Sequence, residues 1–482
     1  MDTQPHIFFF PFMGHGHMIP TIEMAKLFAS RGCRATIIST PANASNIIKS
    51  IERSRQLGLD IGVVLIKFPT KEVGLPEGCE NTNSLTTKEM MDKFLVATTM
   101  LDQPLEELLF EHRPTCLVAD VFFPWANQIA AKFGIPRFVF NGTSFFALCA
   151  YASLLQEEPQ KKVSSDLEPF AIPNLPDEIF TTRQQLPDHM KEESELSAFA
   201  RKVEESELTS SGIIVNSYYE LEPAYADHYR NFLGMKAWHI GPTFLCSKDK
   251  APRGKDSIDE HECLKWLDSK KPNSVVYVCF GSVANFDDAQ LMEIAMGLEA
   301  CGKEFIWVVK KEKREEGREE EWLPEGYEKR MEGKGLIIRG WAPQMLILQH
   351  EAVGGFVSHC GWNSTLEGIS AGLPMVTWPV SAEQFYNEKL ITQLLGIGFD
   401  VGNQRWSMFM GDCVKREAIA KAVSRIMEGE EAEEMRSRAK ALRVLACEAV
   451  EEGGSSYTDL SALIEELKLH STGSVSNKDS LP

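Results

Sequence analysis

Two doubly wound α/β domains in tandem are the architecture this sequence predicts. Three observations lead there. The chain has 482 residues, too many for one ordinary core, so two domains of about 200 residues each are expected. A β/α alternation opens at the N-terminus, and a second one starts near the middle. Between them lies IGPTFLCSKDKAPRGKDSIDE (240–260), rich in Pro, Gly and charge, where a domain boundary belongs.

The first series begins with HIFFF (6–10), a short apolar run of the buried-strand kind. A loop holding Pro11, Gly14, Gly16 and Pro20 follows. TIEMAKLFASRG then sets Met24, Leu27 and Phe28 at helical spacing, with Gly32 as the stop. ATIIST (35–40) is the next strand, which completes a βαβ unit with a right-handed crossover. CLVAD (116–120) and RFVFN (137–141) are further buried strands, with helical ANQIAAKFG between them. The second series runs SVVYVCF (274–280), a Gly-containing loop, amphipathic DDAQLMEIAMGLEACG and the strand EFIWVVK (304–310). GLIIRGW, GGFVSH and LPMVTWP continue it. The charge run KKEKREEGREEEW (310–322) reads as a solvated loop or helix end. Residues 415–468 read as helices and STGSVSNKDSLP as a disordered tail. The expected division is 1–245, a linker 246–260, 261–450, a C-terminal helix 451–468 packing back on the first domain, and a flexible tail 469–482.

Composition excludes several classes. A formal net charge of -19 makes the chain a poor binder of nucleic acid. MDTQPHIFFFPFMG lacks the basic n-region and cleavage site of a signal peptide, and no run approaches the roughly 20 apolar residues of a membrane span. The eleven cysteines are scattered and form no C-x-x-C pair, which points to reduced thiols in the cytoplasm rather than disulfides or zinc.

The chemistry gathers at loops that follow strands. HCGWNSTLEGISAG (359–372) joins the strand GGFVSH to a helix ending at Gly372. His359 is then at the carboxyl end of a strand, with Asn363 or Ser364 at the start of a helix, which is where open α/β sheets bind ligands. A helix N-terminus suits a phosphate, His359 can add a donor, and Glu367 can accept from a ribose hydroxyl. Taken alone, these residues fit equally well a helix cap and a core histidine. Two neighbours shift the balance. Trp341, beside Pro343, can stack on a flat base, and Glu383 with Gln384, after another strand end, can grip sugar hydroxyls. Gly281 and Ser282 would close the seat from the first strand of this domain.

In the N-terminal half, PFMGHGHMIP (11–20) has G-x-G but no third glycine in dinucleotide spacing. The next strand ends IISTPAN, without an acid for a ribose, so a nicotinamide site is not expected. Its two histidines have no further metal ligand nearby. A general base is the better use, because a neutral imidazole suits proton removal near pH 7 and needs an orienting carboxylate. Asp120, ending CLVAD at the same sheet edge, is the natural partner; it could equally be a loop-start residue. The residues alone leave His15 and His17 both open. There is no G-x-S-x-G for a hydrolase. A non-catalytic nucleotide-sugar-binding protein would not need both a histidine and Asp120.

The run WAPQMLILQHEAVGGFVSHCGWNSTLEGISAGLPMVTWPVSAEQ resembles, without a gap, the signature box of plant family-one UDP-sugar-dependent glycosyltransferases. The resemblance extends over nearly the whole chain. It implies two Rossmann-like doubly wound domains facing a cleft (the GT-B glycosyltransferase fold), with the acceptor held by the N-terminal half and UDP-glucose by the C-terminal half. It further implies that Trp341 stacks on uracil, that Ala342 meets the base through its backbone, and that Gln344 and Glu367 hold the ribose side. Ser282, His359, Asn363 and Ser364 would bind the phosphates, with Gly361 letting backbone approach. Trp362, Glu383 and Gln384 would contact the sugar. Glu383 stands where Asp is frequent in the family, and Gln384 resembles the glucose users. The family base lies in G-H-x-x-P, so His17 is implied rather than His15, with Asp120 as its partner acid.

The mechanism implied is a single inverting displacement giving a β-glucoside. There is no D-x-D in the chain, so neither a metal nor another cofactor is expected. A monomer acting on two small molecules is the expected assembly. FFPFMGHGHMIPTIEMAKLFASRG and SAEQFYNEKL resemble the branch that glucosylates flavonoids, other phenolics and triterpenoid or steroid aglycones. A phenolic acceptor is expected, with galactose or glucuronate as alternative sugars. Variable loops such as 70–95, 140–155 and 180–205 would wall the acceptor, and Phe122, Phe123, Phe145 and Phe146 are candidates to line it.

Overall fold

The computed structural model of the protein describes residues 4–246, 260–282, 286–311, 322–408 and 413–476. In chain order the first nine strands are β1 (His6–Phe10), β2 (Arg34–Ser39), β3 (Ile61–Leu65), β4 (Cys116–Asp120), β5 (Arg137–Asn141), β6 (Pro169–Ala171), β7 (Phe180–Thr182), β8 (Gly212–Val215) and β9 (Ala237–His239). β6 and β7 form an antiparallel pair. The other seven make one sheet in the order β3-β2-β1-β4-β5-β8-β9, parallel throughout. The remaining strands are β10 (Val275–Cys279), β11 (Glu304–Val309), β12 (Gly335–Arg339), β13 (Val353–Ser358), β14 (Met375–Thr377) and β15 (Gly398–Asp400). They make a second parallel sheet in the order β12-β11-β10-β13-β14-β15. Both are doubly wound, and in each the order reverses beside the first strand of its series.

Parallel sheets need cover on both faces, and β1 shows how the sequence provides it. Side chains alternate across a strand. Ile7 and Phe9 therefore enter one core, with Met24 and Phe28 of the helix His15–Ser30. Phe8 and Phe10 enter the opposite core, with Leu105, Leu109 and Phe123. Phe10 stacks on Phe123 at 4.1 Å between centroids, worth about 0.5–1.5 kcal/mol beyond the burial itself. In the second sheet, Val276, Val278 and Trp307 pack with Leu291 and Leu298 of the helix Asp288–Cys301 and with Ile419 and Val423 of the helix Arg416–Met427. Gly297 makes that helix pair possible, since a Cβ there would lie 2.9 Å from Ile419 Cβ.

The described residues fall into two compact units. One holds 4–145, 192–246 and 448–476, and the other 146–191 and 260–447. The excursion 146–191 is tied into the second unit by polar contacts. Lys389 Nζ donates to Gln185 Oε1 at 3.0 Å, Gln185 Nε2 to Gln404 Oε1 at 3.0 Å, and the Trp406 N–H to the Gln184 carbonyl at 2.9 Å. The C-terminal helix Ser455–Ser476 belongs to the first unit. Its Leu460, Leu463 and Leu467 join the core around Phe9, and Asp459 Oδ2 accepts from the His239 N–H and from Arg230 Nη2.

Three segments differ from the sequence reading or escape it. The first helix starts at His15, six residues before the expected TIEMAKLF, and carries Pro20 inside it. The bond that Pro20 cannot donate would have reached Gly16. The C-terminal helix continues to Ser476, into the run read as a disordered tail. Once the preceding turns are anchored, each further residue adds a bond at little cost. Of the expected linker 246–260, only Cys246, which ends the helical turn Thr243–Cys246, and Glu260 are described, and 312–321 of the charge run lie outside the described residues.

Candidate active site

In the first unit, the carboxyl ends of β1 and β4 lie side by side, with Phe10 paired to Ala119. The chain leaving β1 turns at Gly14, which caps the helix His15–Ser30. His17 is therefore in that helix's first turn, over the sheet edge where β4 ends in Asp120. Its Nδ1 lies 2.8 Å from Asp120 Oδ2. A carboxylate only accepts, so Nδ1 carries the proton and the lone pair is on Nε2. His17 is 28% exposed at its side chain and Asp120 wholly buried. Phe12 and Phe122 set ring edges against the imidazole at 5.5 and 5.4 Å between centroids.

Asp120 is held by more than His17. The Phe122 N–H donates to its Oδ1 at 3.1 Å, and Arg137 Nη2 donates to its backbone carbonyl at 3.1 Å. His15, the other histidine of the motif, is the first helical residue and bonds the Asn83 side chain. Of the four phenylalanines expected to line an acceptor wall, only Phe122 borders His17. Phe123, Phe145 and Phe146 are completely buried core residues. The reason is their register. Phe123 stacks under Phe10, and Phe145 packs on Tyr229 and His239.

In the second unit the donor-box residues meet at the carboxyl edge of the second sheet. The helix after β13 runs Trp362–Ala371 and is capped by Gly361, with no side-chain cap bond. Asn363 is thus inside the first turn rather than the cap, which leaves the cap to backbone. His359 is buried between two glycines. A Cβ on Gly281 would lie 2.5 Å from its Cε1, and one on Gly361 2.4 Å from its Nε2. Gly281 also has φ +66°, a left-handed conformation that glycine adopts freely. Burial, seconded by the charge of Lys310, lowers the His359 imidazole to about 4, so it is neutral at pH 7. Its Nδ1 is buried with no hydrogen-bond partner among the described residues.

Gln344, Ser364 and Glu367 form one cluster. Gln344 Nε2 donates to Glu367 Oε2 at 2.6 Å and to Ser364 Oγ at 3.2 Å, while the buried Tyr277 hydroxyl donates to Gln344 Oε1 at 3.3 Å. Ala342 is buried and its carbonyl accepts from the Gln344 N–H at 2.8 Å. Trp341, just before it, is half-buried. Glu383 Oε1 accepts from the Trp362 N–H at 3.3 Å and from Asn387 Nδ2 at 3.2 Å. Trp362 itself is buried. Gln384 turns its Oε1 inward to the Val380 and Ser381 N–H groups, at 2.8 and 2.9 Å, which leaves its NH2 as the group it can offer.

Two contributors escape a reading of the sequence. Asn387 donates to the Cys360 carbonyl at 2.8 Å as well as to Glu383. It so ties the 359–362 loop, where Cys360 has φ +62°, to the segment that bears Glu383. Its only sequence signal is its place one turn after Glu383. Lys310, just past β11, donates to the Ser282 carbonyl. Desolvation lowers its ammonium to about 8, so it is still protonated at pH 7. It ends a strand and opens a charge run, which hid it among solvated lysines.

The family model described as "UDP-glucoronosyl and UDP-glucosyl transferase" matches residues 193–403. A scopoletin glucosyltransferase of Nicotiana tabacum is 56% identical over 475 residues, covering 97% of this chain and 99% of that one. A UDP-glucose flavonoid 3-O-glucosyltransferase of Fragaria ananassa is 58% identical over 477 residues, covering 96% of each. Among solved structures, Glycyrrhiza uralensis UGT73P12 complexed with glycyrrhetinic acid 3-O-monoglucuronide superposes with a TM-score of 0.91, at 41% identity, over 99% of this chain and 98% of that one.

Proposed function

The chain belongs to the UDP-glucoronosyl and UDP-glucosyl transferase family, is a UDP-glycosyltransferase, and from that premise we propose that it transfers glucose from UDP-glucose, with inversion, to a phenolic hydroxyl of a coumarin or flavonoid. The observation that carries the chemistry is the 2.8 Å contact of His17 Nδ1 with Asp120 Oδ2. It leaves Nε2 as a base on the side away from the carboxylate. His17 Nε2 takes the acceptor proton while the acceptor oxygen attacks the anomeric carbon and the bond to the UDP oxygen breaks. Asp120 stabilises the imidazolium that forms. Attack opposite the leaving group turns an α-linked donor into a β-glucoside.

The second unit supplies the seat of the leaving group. Trp341 stacks on the base, and Ala342 meets it through the backbone. Gln344 with Glu367 holds the ribose. Ser282, Asn363, Ser364 and the helix start at Gly361, which has no side-chain cap, receive the diphosphate. His359 contributes a neutral donor and Lys310 the nearby positive charge. Trp362, Glu383 and the Gln384 amide NH2 contact the sugar. The names of the tobacco and strawberry relatives support glucose and a phenolic acceptor. The liquorice structure supports a second reading, a triterpenoid acceptor. A panel of scopoletin, quercetin and glycyrrhetinic acid, each with UDP-glucose, UDP-galactose and UDP-glucuronate, tests both. We expect β-glucosides of the phenols to dominate. A preference for the triterpenoid would replace the phenolic reading, and an α-linked product would overturn inversion.

The reaction runs in this reading without a divalent cation, in the cytoplasm and on a monomer. Charge at the diphosphate comes from Lys310 and the helix start, and no disulfide joins cysteines among the described residues. Transfer is therefore expected to keep its rate in EDTA, and a loss restored by Mg²⁺ would refute the helix-terminus account. Gly281→Ala adds a Cβ at φ +66° against an imidazole already walled by Gly361. We expect UDP affinity, measured by calorimetry, to fall by roughly tenfold or more, about 1.4 kcal/mol. Unchanged affinity would remove His359 from the seat.

A further inference from the structure

Arg137 presents a physical problem. It opens β5, only 2% exposed, and its guanidinium forms no ion pair with a carboxylate among the described residues. It donates only to neutral oxygens: the Asp120 carbonyl at 3.1 Å, the Phe123 carbonyl at 3.4 Å and Ser206 Oγ at 2.6 Å. Its Nε is buried with no hydrogen-bond partner among the described residues. An unpaired buried cation is costly, and an apolar residue of similar volume is the usual cheaper solution. The three acceptors show what the charge is next to. Two of them bracket the turn 120–123, which carries Asp120 and delivers the Phe122 N–H to its carboxylate. The third, Ser206, passes on to the Pro124 carbonyl at 3.0 Å, so the same guanidinium also fixes the end of that turn.

We propose that Arg137 is a positioning residue of the acid–base pair, a buried cation that holds the turn bearing Asp120 and sets by its field the ease with which His17 accepts a proton. The inference rests on the reading of His17 as the base. A positive charge behind Asp120 opposes formation of the imidazolium on the other side of the carboxylate. Removing it makes His17 easier to protonate, and so raises the pH at which the base is lost.

The groups that face this cation are few. Asp120 ends β4, His17 lies beyond it on the first helix, and Glu207 stands on the helix Glu195–Leu208, bonded to Asn141 of β5 at 2.9 Å. Glu204 on that helix adds its charge to Glu207. Burial lowers Arg137 to about 10, with Glu207 and Asp120 opposing, so it is charged throughout an assay between pH 5 and 9. Desolvation raises Glu207 to about 7, so it titrates within that range and needs its own control.

The experiment is the pH profile of kcat/KM for wild type, Arg137→Met, Arg137→Lys, Ser206→Ala and Glu207→Gln. For Arg137→Met we expect the acidic limb to move up by about half a pH unit, kcat to fall about tenfold, and KM for UDP-glucose to stay unchanged. Arg137→Lys keeps the charge and should keep the wild-type limb. Ser206→Ala loosens one anchor and should lower kcat without moving the limb. Glu207→Gln removes negative charge and can only move the limb down. A folded Arg137→Met with its limb at the wild-type pH overturns the proposal, as does an Arg137→Lys limb that moves as far as that of Arg137→Met. Should Arg137→Met not fold, Arg137→Gln, which keeps two N–H donors, provides the same reading. If instead His17→Ala retains full transfer, the base assignment itself has failed, and the proposal for Arg137 falls with it.

Discussion

Replacing His17 by Ala is expected to lower glucosyl transfer by at least 10²-fold while UDP binding survives. General-base assistance by a positioned side chain is worth about 10²–10⁴ in rate, and neither neighbour of His17 that could hold a proton is placed to take over. His15, the only other histidine of the motif, is committed to the Asn83 side chain. Asp120 is completely buried behind the ring it orients. The loss should appear in kcat and kcat/KM together, because the interaction exists only as the proton moves. Calorimetry with UDP reads the second unit separately, and none of the residues assigned to UDP lies in the unit that carries His17. Undiminished transfer in the alanine variant would sink the assignment. Lost UDP affinity would mean that the substitution had disturbed more than the base.

Asp120→Asn should be at least as damaging, for a reason the hydrogen bonds make specific. The Phe122 N–H donates to Oδ1 at 3.1 Å, while His17 meets Oδ2 at 2.8 Å. An asparagine amide must keep its oxygen toward the Phe122 N–H, so its NH2 takes the place of Oδ2. That NH2 can only donate, which forces His17 Nδ1 to accept and moves the imidazole proton to Nε2. The lone pair that should receive the acceptor proton is then gone. A wrong tautomer costs on the order of 10⁴ in comparable histidine–carboxylate pairs. Asp120→Ala imposes no tautomer and should retain more activity than Asp120→Asn. Single-turnover rates of both variants check this, and an asparagine variant faster than the alanine one would show that orientation through Oδ2 is not what matters.

Much of this arrangement is legible in the sequence, and the exceptions share a cause. Buried parallel strands are short apolar runs, and those at 6–10, 116–120 and 137–141 coincide with the observed ones residue for residue. The start of the first helix was hidden because Gly14, Gly16 and Pro20 are loop formers by propensity. Gly14 makes a cap instead, and Pro20 loses only one bond inside a helix packed on the sheet. Of the four aromatic candidates only Phe122 borders His17, since a phenylalanine next to a strand end looks the same whether its register turns it outward or into the core. Asn387, Lys310 and Arg137 were missed because each acts through a partner 27, 28 or 17 positions away.

The sequence by itself determined the class of fold, the family and the candidates for the proton chemistry, though not the cations Lys310 and Arg137. Those follow from local patterns: apolar runs of strand length, and a gapless 44-residue box from Trp341 to Gln384. Only the tertiary structure decided how those groups are held. It put His17 on Asp120 across 103 residues, boxed His359 between Gly281 and Gly361, and tied 146–191 into the second unit through Lys389 and Gln404. The physical reason is the range of the forces. Strand and helix preferences act within a few residues. The tautomer of a histidine, or the charge state of a buried arginine, is set by whatever the fold brings within hydrogen-bonding distance, and no local pattern encodes that.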